Sequence, residues 1–254
     1  MVHPRDIYDL LLDNARSSEL VREVLIGLTW TLCRTESIGL CMSPGTVTRT
    51  LPWSGTLVNK SVEELALWVR SWNGFEATVG MAAINAAINA RSPLLQRGQP
   101  ISMEGTSANL AVFQHFLPQI RGKRVAIIGR YPRLSVFEKE MEMTVIERQP
   151  TTGDLPDPAS EYVLPESEWV FLTATSIANK TFPRLVELAR DAKLVLMGPT
   201  MPWLPELAEF GIDYLAGVTV TDSDALRQTV AEGGGVRIFE TAVQYRVLEL
   251  RTGE

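Results

Sequence analysis

Apolar positions Ile7, Leu10, Leu11 and Leu20, with acidic residues and arginines between them, predict an amphipathic helix over residues 5–20. Over residues 24–33 the period shortens. Leu28, Trp30 and Leu32 alternate with Thr29, Thr31 and Cys33, which predicts a strand, and the Thr- and Gly-rich residues 39–50 predict a second one. A Ser54-Gly55 turn follows, then the capping box Ser61-Val-Glu-Glu64, which predicts a helix through Trp72. Asn73-Gly74 breaks the chain, and residues 76–90 predict a helix of small residues. Its tandem Ala83-Ile-Asn-Ala86, Ala87-Ile-Asn-Ala90 stacks Asn85 and Asn89 on one face. Such amides either cap neighbouring loops or face a ligand.

Residues 91–107 are rich in breakers and polar residues, which marks them as a linker. Beyond them a helix over 109–117 leads into Lys123-Arg-Val-Ala-Ile-Ile-Gly129, a continuous apolar strand of the kind buried on both faces in parallel sheets. Further strands are expected at 143–147, 169–173, 193–197 and 214–218, with helices at 182–192, 204–210 and 225–232. Strands alternating with helices specify an α/β fold: a doubly wound parallel sheet over 101–254, preceded by a small α+β domain over 1–100.

In an open parallel sheet, ligands bind outside the carboxyl ends of the strands. That rule singles out four places. Gly129-Arg130-Tyr131-Pro132 sits where a dinucleotide fold carries G-x-G-x-x-G, but three bulky or rigid residues replace the small ones, so Arg130 and Arg133 offer side chains to an anion instead. Glu147 ends the next strand, 18 residues after Gly129, where an acid either holds a ribose diol or is simply solvated. Thr173, Thr175 and Asn179 gather hydroxyls and an amide, with Thr181 placed to cap the following helix. Gly198-Pro199-Thr200 turns toward another helix start, a setting that favours anions. Gly233-Gly234-Gly235 follows a helix and reads as a C-cap.

Composition narrows the chemistry. Among 254 residues, Lys plus Arg number 24 and Asp plus Glu 30, a net charge of −6 that argues against a nucleic-acid partner. No run of about 18 apolar residues spans a membrane, and the charged N-terminus lacks a signal-peptide core, so the expected location is the cytoplasm. Soft metal ligands are scarce: Cys33, Cys41, His3 and His115 are the whole stock, which excludes a four-ligand structural zinc site. Cys33 and Cys41 fall on neighbouring expected strands and would be either two thiolate ligands or two buried apolar residues. No G-x-S-x-G, H-E-x-x-H or phosphate-loop motif occurs. Six Trp and eight Met are consistent with a homodimer.

The strand-end loops form an ordered set. Val125-Ala-Ile-Ile-Gly129-Arg-Tyr-Pro132, Val145-Ile-Glu147, Gly153-Asp-Leu-Pro-Asp157, Thr173-Ala-Thr175 with Asn179-Lys-Thr181, Met197-Gly-Pro-Thr200 and Gly211-Ile-Asp-Tyr-Leu-Ala-Gly217 resemble the bacterial and archaeal family named "Putative heavy-metal chelation". Gly80-Met-Ala-Ala-Ile-Asn-Ala86 resembles its N-terminal region. The resemblance implies an enolase N-terminal-like domain joined to a Rossmann-like domain, with a site in the cleft between them. It implies a binding protein for a small anionic molecule, metal ion or metal complex, with a role in heavy-metal handling. Because nickel, copper and zinc prefer thiolate and imidazole, the oxygen-rich loops suit a hard cation or a metal already wrapped in an organic ligand. The alternative is an enzyme using a nucleotide or adenosyl-type cofactor, with Glu147 on the ribose.

Overall fold

The computed structural model describes residues 3–89, 91–103 and 108–251. Ala90 and the Gly105-Thr106-Ser107 stretch of the expected linker lie outside the described residues. The chain begins with α1 (Asp6–Asn14), shorter than the pattern predicts because Ser17 and Ser18 leave the helix and Leu20 bridges to Ser61. The expected strand over 24–33 is instead a hairpin of β1 (Glu23–Ile26) and β2 (Trp30–Arg34), closed where Gly27 N donates to Trp30 O. The apolar alternation runs on through the turn, which hides it from a period count. β3 (Ile38–Met42) completes an antiparallel sheet of order β1-β2-β3 and stops where Ser43-Pro44-Gly45 breaks the extended chain.

The capping box is half made. Ser61 Oγ accepts from Glu64 N at 3.1 Å, but the Glu64 carboxylate turns to Lys60. The resulting α2 (Val62–Ala66) passes into a 3₁₀ turn (Leu67–Arg70). Asn73 Oδ1 accepts from Phe75 N and Glu76 N and starts α3 (Gly74–Asn89), which is buried continuously from Ala77 to Ile88. Its small residues let β3 approach closely: a Cβ on Gly39 would lie 2.1 Å from Ala82 O and Ala86 N.

The expected linker is partly structured, with α4 (Leu94–Arg97) and the edge strand β4 (Gln99–Pro100). Then follow α5 (Ala111–Ile120), β5 (Arg124–Ile128), β6 (Glu142–Ile146), α6 (Ser160–Val163), β7 (Trp169–Thr173), α7 (Thr175–Ala178) and α8 (Phe182–Leu188). The chain ends with β8 (Lys193–Met197), a 3₁₀ turn (Pro205–Phe210), β9 (Tyr214–Val220), α9 (Ser223–Ala231), α10 (Ile238–Thr241) and β10 (Val243–Glu249). The fold is thus mixed α/β, as expected, with a small antiparallel sheet and a larger, mostly parallel one. The large sheet has the order β4-β10-β9-β8-β7-β5-β6, parallel from β6 to β9, with β10 and β4 added antiparallel at one edge.

Alternate residues sort to two cores. Ala126, Ile128, Val170 and Leu172 face one that also holds Ile7, Leu11 and Ile84. Val125, Ile127, Phe171 and Met197 face the other, which contains Phe113 and Phe116 of α5 together with Trp30, Leu32 and Leu40 of the small sheet. Each core therefore draws on both sheets. Burial of this apolar area is the main force holding the small sheet on the large one. The glycine run docks there too: Gly233 ends α9 at a φ of +79°, and Gly235 O accepts from Trp30 Nε1 at 3.0 Å.

Candidate functional site

The chain enters the parallel sheet at β5, goes outward to β6, then crosses back to β7, so the strand order reverses between β5 and β7. At such a switch point the loops after the two strands separate and leave a crevice. Gly129 follows β5 at a φ of +99°, and a Cβ there would stand 3.2 Å from Thr173 Cγ2 at the end of β7. The positive φ favours glycine, and any side chain there would press on Thr173.

The end of β3 meets these strand-end loops. Met42 N donates to Thr200 Oγ1 at 3.0 Å, Thr175 Oγ1 points to Met42 Sδ at 3.7 Å, and Thr78 Oγ1 donates to Met42 O at 3.3 Å. Thr173 and Thr175 hydroxyls lie 3.3 Å apart, and the Tyr131 phenol comes near Thr173. Tyr131, Thr173, Thr175 and Thr200 are thus brought together, beside a methionine that the residue pattern did not single out. Met42 keeps 39% of its surface exposed.

Other expected residues are tied to protein partners. Both nitrogens of the Arg130 fork bond the Asp154 carboxylate, at 2.8 and 2.6 Å, and Thr151 donates to it twice more. The Arg130 guanidinium holds the Asp154 carboxyl below its ordinary range. Glu147 lies just past β6, where Oε2 accepts from Arg130 N at 2.8 Å and Oε1 from Gln149 N at 3.3 Å. Pro132 O accepts from Asn109 Nδ2. Asn179 Oδ1 accepts from Thr181 N and Thr181 Oγ1, so it shapes the start of α8, and Thr181 makes no side-chain cap bond of its own. Asn85 is fully buried, its Nδ2 donating at 2.8 Å to both Leu40 O and Thr200 O. One turn further along α3, Asn89 acts in the same way, bonding Met201 O and accepting from Trp203 N. Two amides therefore fasten α3 to the loop that carries Gly198, Pro199 and Thr200.

The thiols are shut away. Cys33 opposes Gly39 and Cys41 opposes Thr31, so the two are diagonal neighbours on one face. Both face the core, and burial pushes each thiol up to about 12. Lys180, whose φ is +73°, donates from Nζ to Val69 O and Ala178 O and lies over the Tyr8 ring, and burial pushes it down to about 8. Among the described residues no group of three or more His, Cys, Asp or Glu could hold a metal ion. No helix among them is long and apolar enough to cross a membrane.

Comparison with known proteins covers nearly the whole chain. Two family models, both described as "Putative heavy-metal chelation", match residues 8–88 and 111–249. An uncharacterized protein of Methanocaldococcus jannaschii is 31% identical over 201 residues, 76% of this chain and 73% of that protein. A crystal structure of a protein of unknown function from the DUF364 family of Desulfitobacterium hafniense superposes with a TM-score of 0.85 at 33% identity, covering 96% of this chain and 98% of that one. One from Pyrococcus horikoshii, at 24% identity, gives a TM-score of 0.77 over 97% and 99% of the two chains, a likeness of fold. With both models matched in order along one chain, and a relative above 30% identity, this protein belongs to the "Putative heavy-metal chelation" family.

Proposed function

We propose that this is a cytoplasmic protein that binds a small anionic molecule or a metal complex in the crevice between the β3 end of an enolase N-terminal-like domain (1–100) and the β5, β7 and β8 ends of a Rossmann-like domain (101–254). One observation carries the reading: the crevice presents hydroxyls and a thioether, while both cysteines lie in the core with thiols pushed up to about 12. Thiolate is the metal-binding form of cysteine, so these residues are poor ligands for a bare soft cation. Hydroxyl and backbone groups suit the oxygen and nitrogen atoms of an organic chelator. The protein's role in heavy-metal handling is then to recognise the chelator's periphery and leave the inner coordination to it.

Equilibrium dialysis against nickel chloride and against nickel citrate tests this directly. The complex is retained at one per chain and released when Thr175 and Thr200 are changed to Val. Retention of the chloride salt alone with equal affinity, or retention of neither, overturns the proposal.

A second reading rests on Glu147, which the strand order places beside the switch point, where a ribose diol is held in nucleotide folds. It makes the protein an enzyme with a nucleotide or adenosyl-type cofactor. Thermal stabilisation by adenosine triphosphate or S-adenosylmethionine that disappears in Glu147→Ala supports it. Equal behaviour of variant and wild type removes it.

A further inference from the structure

The chain that leaves β3 crosses the strand ends. Met42 stands at the loops after β7 and β8, bonded to Thr175 and Thr200. Three residues later, a Cβ on Gly45 would lie 3.4 Å from the Gln149 side-chain amide, in the loop after β6. β5 lies between β7 and β6, so this step covers two strand spacings, about 10 Å, which three extended residues just span. Residues 42–45 therefore run across the switch point. Both ends of the loop that follows are held near the start of α3. A Cβ on Gly74 would stand 3.2 Å from Pro44 Cβ, and the Trp53 ring lies 5.1 Å from that of Trp68, in the 3₁₀ turn ahead of α3. Between these anchors residues 45–50 are all exposed, Val47 fully. Among the described residues no backbone hydrogen bond joins 45–50 to another element; the bond from Thr48 Oγ1 to Thr50 O stays within the segment. Few contacts and solvated amides mark a segment that moves at little cost.

We propose that residues 45–50 form a strap that closes over the strand ends when ligand is bound, with Arg49 as the residue that binds an outward-facing carboxylate of that ligand. The inference rests on the crevice reading above and adds a binding residue and a motion to it.

Charge selects Arg49. An anionic ligand calls for a cation, and two of those near the strand ends are committed: the Arg130 fork to Asp154, and Lys180 to the carbonyls of Val69 and Ala178. Among the described residues neither Arg133 nor Arg49 has an ion pair or a side-chain hydrogen bond. Arg133 is fixed in the loop after β5, whereas Arg49 rides on the exposed segment. It lies four residues past Gly45, and an extended chain of that length reaches about 13 Å, more than the span crossed by residues 42–45. Its planar fork matches a carboxylate in two parallel bonds. In the free protein nothing offsets the entropy lost by ordering the strap; charge-assisted bonds to a bound anion do. The crevice thus stays open to solvent until it is filled, and is covered afterwards.

The test uses the full chain as wild type, Arg49→Ala, Arg49→Lys and the double variant Thr175→Val, Thr200→Val, with nickel citrate and nickel chloride as probes. Trypsin cuts free wild type first at the Arg49–Thr50 bond. Nickel citrate slows that cut about tenfold and nickel chloride leaves it unchanged, with casein digested under the same conditions as a control for the protease. In equilibrium dialysis Arg49→Ala weakens retention of nickel citrate about tenfold, and Arg49→Lys restores part of it. Both free variants melt with wild type, because the side chain is exposed and unpaired. The inference is overturned if the Arg49–Thr50 bond of the free protein resists trypsin, if nickel citrate is retained without slowing the cut, or if Arg49→Ala retains it as tightly as wild type. Any of these, with retention still lost in the double variant, removes the strap and leaves the crevice reading standing. Failure of wild type to retain nickel citrate removes both.

Discussion

Replacing Asn85 with Ala removes the amide that joins β3, α3 and the loop after β8. Its Nδ2 donates to two carbonyls at 2.8 Å each in a position with no solvent access. A buried acceptor left without its donor costs about 1–3 kcal/mol, and two are left here. The Asn85 Oδ1 has no partner among the described residues, so its removal returns some of that loss. The net destabilisation is about 2–4 kcal/mol. Asn89→Ala, with one bond of 3.0 Å and one of 3.5 Å at a half-buried position, should cost about 1 kcal/mol. Urea unfolding followed by tryptophan fluorescence reads both, as a lower midpoint at unchanged slope. A loss below about 0.5 kcal/mol in Asn85→Ala would mean that other donors serve these carbonyls and that the amide is not the fastening inferred for it.

Three further outcomes follow from the same structure. Gly39→Ala puts a Cβ 2.1 Å from two backbone atoms of α3, neither of which can swing away, and should cost about 3 kcal/mol or more, the upper end of the overpacking range; a variant as stable as wild type contradicts the packing. Lys180 releases its proton near 8 when folded but near 10.5 when unfolded, so between these values the unfolded chain binds more protons and this residue's contribution to stability rises with pH. The stability difference between wild type and Lys180→Met should therefore move in favour of wild type across that window, and a flat difference refutes the linkage. Cys33 and Cys41 should react with Ellman's reagent only when the protein unfolds; rapid reaction of either thiol in the native protein would show that it is not shut in the core.

The parallel core is legible because its strands are uninterrupted apolar runs: β7 and β8 have the predicted bounds, and β5 and β9 differ at their ends. The β1–β2 hairpin is not, since Gly27-Leu28-Thr29 keeps the alternation going through a turn. β10 shows a regular alternation of Val243, Tyr245 and Val247 with polar residues, a signal present in the sequence beyond the glycine run but not among the expected strands. β4 is two residues long and ends in Pro100, so nothing local marks it. At the site, the loops could be placed from strand ends alone. Their partners could not: Arg130 meets Asp154 across 24 residues, and Asn85 meets Thr200 across 115. The scarcity of Cys and His was visible in composition, but only the fold shows both thiols turned into the core.

In the proposed function the ligand sits at the strand-end crevice and arrives as a complex. A crystal of the protein soaked in nickel citrate tests it most directly, read by anomalous scattering at the nickel edge. One nickel peak per chain is expected beside Met42, Tyr131, Thr175 and Thr200, with citrate density around it. A peak between Cys33 and Cys41, or no peak at the crevice, would contradict it.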